Sequence, residues 1–214
     1  MLSNYTFNFW LSLFVFAAHI IANLMVTKPN VELFTRLEKL TLFPPGWVFG
    51  IWFVIWILQS ILFYKTYGSE FWSNSVTLLF ILVCVGNLGS QYAGANNLGW
   101  LIYILLISCM LVCSVLFMEK TSSFYAMFSI AKSATQLYVG WASLAFLVGT
   151  GVILVTDQQV VSDKLYTMIG SIILVIVPIV IWSLWFKDKG DYRMVTIPYF
   201  LLYFAFTLRV MLRH

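Results

Sequence analysis

Long runs without a single charged residue recur along almost the whole chain, and they restrict it to one environment. Seven apolar stretches built on these runs, near residues 7–26, 44–65, 74–92, 98–118, 133–155, 165–186 and 192–212, have the roughly 17–25 residues a helix needs to cross hydrocarbon. Their core stretches contain no Asp, Glu, Lys or Arg; the charges lie in connections or close to helix ends. Inside a bilayer no water replaces a lost backbone hydrogen bond, so each run must satisfy its own backbone and becomes helical. Composition points the same way. Only 9% of the residues are charged and 62% are hydrophobic, whereas a soluble domain carries about a quarter charged residues. The expected fold class is all-α: a polytopic membrane helix bundle of about seven transmembrane helices.

The segments between the runs set the order of the bundle. The connection 27–43 holds Lys28, Glu32, Arg36, Glu38 and Lys39, with Leu33, Leu37 and Leu40 at helical spacing. It reads either as a surface-lying amphipathic turn or as an ordinary loop. Pro44-Pro45-Gly46 opens the second span, since proline is accepted in a first helical turn but not inside one. The short Gly94-Ala95-Asn96-Asn97 link makes the third and fourth spans antiparallel neighbours. Pro178 marks a kink or a freed carbonyl in the sixth span. The first run lacks a basic leader and a small-residue cleavage site, and reads as a retained span. Basic residues divide evenly between the two sides, so the charge rule assigns no orientation.

Several chemistries find no support in these residues. The net charge of +4 is spread over span ends and makes no nucleic-acid footprint. Charge-coupled transport normally needs an ionisable group at depth, and the span cores hold none. There is no phosphate loop, no HExxH or paired-Cys metal signature, and no nucleophile–base pair. The expectation is therefore no catalytic residue, no metal site and no enzyme. Cys84, Cys109 and Cys113 sit within apolar runs and read as small hydrophobes. His19, inside the first span, reads as a bridge between helices or a lining of a polar pocket. Asn87, Ser90, Gln91, Ser133, Thr135, Gln136 and Ser143 read as helix-to-helix glue.

Aromatic residues are the positive feature: 19 Phe, 11 Tyr and 9 Trp. Trp10, Trp72, Trp100, Trp182 and Trp185 suit interfacial belts, where an amphipathic ring fits the headgroup region. The group behind the double proline is denser. Phe49, Trp52, Phe53 and Trp56 recur at spacings of three, four and seven, which gathers them on one helix face. Such a face either lines a pocket for a flat ligand or packs on another helix. Trp141, beside Gly140, has a ring able to reach the same interior.

Taken together, Pro44-Pro45-Gly46-Trp47-Val48-Phe49-Gly50-Ile51-Trp52 resembles the helix-opening signature of the TspO/MBR family, the tryptophan-rich sensory and translocator proteins. The likeness is greater to a longer, divergent branch with extra spans, through Phe49, Ile51, Trp52 and Trp56 and a Tyr-x-Gly-Trp element at Tyr138-Val139-Gly140-Trp141. Trp52 stands one position earlier than the corresponding Trp of better-known members, a turn of about 100° around a helix. The resemblance implies a five-helix core over 44–190, with an N-terminal helix and connection at 1–43 and a further helix at 191–214. It also implies binding of a porphyrin or sterol ligand by Trp47, Phe49, Trp52, Trp56 and Trp141, and a mitochondrial membrane in eukaryotes. Partners would be membrane lipids and either identical copies or the subunits of a larger complex. Two alternatives to ligand binding stay open at this point: a non-catalytic accessory subunit of a membrane complex, and a small-solute transporter.

Overall fold

The computed structural model describes residues 4–26, 40–41, 46–96, 98–188 and 193–211. Among them the chain forms seven helices and no strand: α1 (Asn4–Val26), α2 (Ile51–Thr66), α3 (Asn74–Ala95), α4 (Trp100–Thr121), α5 (Ser129–Gly151), α6 (Asp163–Asp188) and α7 (Arg193–Met211). Six contain stretches long and apolar enough to cross a membrane, while the apolar part of α7, Met194–Thr207, is shorter. This is a helical membrane bundle. The opening of the second span is a 3-10 turn, Gly46–Gly50, that leads directly into α2. Most of the connection 27–43 lies outside the described residues. Leu40 and Thr41 are the exception: Leu40 is buried, and the Thr41 backbone N–H donates to Asp163 Oδ1 at 3.1 Å at the start of α6.

α5 is the axis of the bundle. It packs on α2, α4 and α7, and 53% of its spanning stretch is buried, against 22% for α6. Two close crossings tighten the bundle, one of them on α5 itself. A Cβ at Gly86 on α3 would stand 2.8 Å from the Met110 backbone nitrogen on α4, and one at Gly140 on α5 would collide with the Val195 carbonyl on α7. Small residues let helices approach until their backbones touch, which is how apolar helices gain packing energy when lipid is as apolar as they are. The α3–α4 contact is the most extensive of the bundle, as the short link between them requires.

One end is closed by rings. The connection after α2 turns inward and buries Phe71 and Trp72 completely. Trp72 stacks on Phe63 with centroids 4.6 Å apart and planes 7° from parallel, and its indole N–H donates to Thr66 Oγ1 at 2.9 Å. Phe71 meets Phe117 and Phe124 edge-on. The interfacial role expected for Trp72 is thus corrected: its N–H finds a protein partner, so the ring has no need of the headgroups. Trp10 and Trp100 remain half-exposed at helix ends. The side chains of Trp182 and Trp185 lie outside the described residues.

Gly140→Ala lowers the melting temperature of the detergent-solubilised protein by several degrees, because overpacking costs roughly 1–3 kcal/mol and each kcal/mol moves a chain of this size by about 2–4 °C. Gly50→Ala, where an added methyl meets nothing within 4 Å, leaves it within about 1 °C, in keeping with a site free of steric cost.

Candidate functional site

Four polar residues of α1, Asn8, Ser12, His19 and Asn23, fall within about 60° of one another around the helix at 100° per residue. That stripe faces α3, and hydrogen bonds run down the seam. Asn8 Nδ2 donates to Asn74 Oδ1 at 2.7 Å and to the Trp72 carbonyl at 3.0 Å. Ser12 Oγ donates to Thr77 Oγ1 at 3.4 Å. Further along, His19 Nε2 lies 2.9 Å from Asn87 Oδ1, Gln91 Nε2 donates to both Asn87 Oδ1 and Asn23 Oδ1, and Asn23 Nδ2 donates to the His19 carbonyl. Each such bond between membrane helices contributes about 0.6 kcal/mol. The reading of His19, Asn87 and Gln91 as a bridge between helices holds in this seam.

His19 also touches the aromatic group. Its ring centroid is 6.2 Å from that of Trp52 on α2. Trp52 is the hub of the group: Trp56 lies 6.0 Å away, Tyr138 5.9 Å and Trp141 5.8 Å, the last two edge-on from α5. Phe49, in the 3-10 turn, meets the edge of Trp141 at 5.7 Å. Four of the five residues singled out from the sequence, Phe49, Trp52, Trp56 and Trp141, are therefore together. The side chain of Trp47 lies outside the described residues. Phe53, on the same sequence pattern, is 61% exposed and belongs to the outer face of α2.

The residues around this hub are unusual in what they lack. His19 Nδ1, Trp56 Nε1, Gln59 Oε1 and Tyr138 Oη are all buried without a hydrogen-bond partner. Gln59 and Tyr138 further line one cavity at the junction of α2, α3, α4 and α5, with Ser114 and Thr135 among its other walls. Its volume is about 20 Å³, room for about one water molecule. An unpaired buried polar atom costs about 1–3 kcal/mol, and in hydrocarbon no water drifts in to relieve it. Three of these atoms sit on rings packed against Trp52, and the fourth, on Gln59, shares the cavity with Tyr138. The set offers one N–H donor at Trp56, two acceptors at His19 and Gln59, and a Tyr138 hydroxyl that can do either. None of these groups carries a full charge when the imidazole is neutral.

Sequence reading did not assemble Gln59, Tyr138 and His19 with the tryptophans. The signal for Gln59 was present, since Trp52, Trp56 and Gln59 follow at four and three positions and share a face. The signal for Tyr138 was the three-residue step to Trp141. Nothing in the spacing named α1 as the helix that brings His19 to them.

Among the described residues no group of three or more His, Cys, Asp or Glu is placed to hold a metal ion. The three cysteines are free thiols, with Cys84 and Cys113 buried. No family model, no curated protein and no solved structure matches this chain.

Removing an unpartnered oxygen from this site stabilises the fold. Tyr138→Phe and Gln59→Leu each raise the unfolding free energy by about 1 kcal/mol, read as a higher melting temperature in the same detergent. A fall with Tyr138→Phe contradicts this description of the site.

Proposed function

We propose that this chain is a multi-pass membrane protein that binds a hydrophobic ligand of the sterol or tetrapyrrole class at the Trp52 site. The observation that carries the reading is that three rings packed on Trp52, those of His19, Trp56 and Tyr138, each hold an unpartnered polar atom, with a fourth on Gln59, which shares a cavity with Tyr138. A flat apolar body stacks against Trp52 and Trp141, and its polar group meets an unpartnered atom of the site. The resemblance to tryptophan-rich sensory proteins, through Phe49, Trp52 and Tyr138-Val139-Gly140-Trp141, implies the same ligand class and suggests a mitochondrial membrane. Because the polar atoms are uncharged, a hydroxyl suits them better than a carboxylate, which favours the sterol.

A ligand of this size needs a pocket of roughly 300–1,000 Å³, far more than the cavity of about 20 Å³ that Gln59 and Tyr138 line. Binding therefore displaces side chains. α2 is the element to move, because it packs chiefly on α5 and follows the 3-10 turn at Gly46–Gly50. The same tight packing favours a second reading, a non-catalytic subunit of a larger membrane complex in which the aromatic face only joins α2 to α5.

Titration of the full-length protein in lipid nanodiscs with the fluorescent sterol dehydroergosterol separates the two. Ligand binding gives saturable energy transfer from tryptophan, with an affinity that falls about tenfold or more in Trp141→Ala, a loss on the scale of one ring contact. Transfer that rises linearly with sterol in both proteins contradicts the site and leaves the structural reading.

A further inference from the structure

The bonds between α1 and α3 determine which hydrogen sits on His19. The argument begins at an atom with no ambiguity, the His19 backbone carbonyl oxygen, which only accepts. The Asn23 atom 2.8 Å from it is therefore the amide nitrogen Nδ2. Asn23 Oδ1 is then an acceptor, and the Gln91 atom 2.8 Å from it must be the donor Nε2. The second hydrogen of that same nitrogen goes to Asn87 Oδ1 at 3.0 Å. Asn87 Oδ1 is thereby an acceptor too, so the His19 Nε2 atom 2.9 Å away carries the ring proton. The chain of bonds starts and ends on His19. On its far side Asn87 Nδ2 donates to Met110 Sδ at 3.5 Å, in the same sense.

A charged imidazolium at this depth would be a buried ion, and no carboxylate stands in the core of any span to balance it. The ring is neutral, and Nδ1, with the proton held on Nε2, bears a lone pair. Nε2 faces α3, which turns Nδ1 to the opposite flank of the ring. His19 is 2% exposed, its Nδ1 has no partner, and the ring lies against Trp52.

We infer that His19 is a fixed hydrogen-bond acceptor in the Trp52 site, with Asn87 the positioning residue that locks its tautomer, and that the ligand of the site brings an O–H or N–H to Nδ1. The inference rests on the ligand-binding reading for its second half, and on the α1–α3 bonds alone for its first. It gives the site a specificity that ring stacking cannot supply. An apolar molecule whose polar group only accepts can pair with Trp56 or Tyr138 but leaves Nδ1 unpaired.

Two measurements on the full-length protein in nanodiscs test it. Nitrogen-15 spectra of histidine-labelled protein, with His214→Ala to leave His19 as the one labelled ring, are expected to show a single neutral tautomer protonated at Nε2. Asn87→Leu is expected to release it to a mixture. A wild-type ring protonated at Nδ1, or already mixed, overturns the inference with no ligand involved. The second compares cholesterol with cholest-4-en-3-one, the ketone that accepts but cannot donate. The alcohol is expected to bind about tenfold more tightly, the scale of one hydrogen bond in a dry site, and His19→Phe to erase the difference. Equal affinities in the wild-type protein overturn the donor requirement. Binding of neither sterol overturns the ligand class proposed above and leaves the tautomer to the nitrogen spectrum.

Discussion

A polar atom moved into hydrocarbon keeps its demand for a hydrogen bond and loses the solvent that would have met it. Everything in this bundle is arranged by that demand. It makes each apolar run a helix, because only a helix satisfies its backbone within one segment. It turns the Asn8–Asn23 stripe of α1 toward Asn74, Thr77, Asn87 and Gln91 of α3. It pulls the indole of Trp72 off the interface and onto Thr66. Where the demand is met, the side chain joins helices; near Trp52, at His19, Trp56 and Tyr138, it is left unmet.

The helices were legible because length and absence of charge are local properties. The third span, expected at 74–92, runs Asn74–Ala95, and the fourth, expected at 98–118, runs Trp100–Thr121. The meeting of Phe49, Trp52, Trp56 and Trp141 was legible in part, since periodicity puts the first three on one side of a helix. Periodicity does not say which helix lies opposite. The contact of Gly140 with Val195, and the arrival of His19 beside Trp52, depend on which helices pair, and no spacing in one segment encodes its partner in another. Trp72 was misread for a related reason: composition places a tryptophan near a span end but cannot show that its connection folds inward.

Two opposing effects meet at the hub. The aromatic rings of α2 and α5 supply dispersion contacts that hold the two helices together. The polar atoms set among them, at His19, Trp56, Gln59 and Tyr138, weaken that contact. Apolar residues at the same four positions would pack at least as well and would leave nothing unpaired.

The most direct test of this account is a high-resolution experimental density map of the full-length protein in native lipid, inspected between Trp52, Gln59 and Tyr138. The account predicts the density of a bound ligand within hydrogen-bonding distance of at least one of Gln59 Oε1, Tyr138 Oη and His19 Nδ1. Empty density there, with the same four polar atoms paired to protein groups, would contradict it.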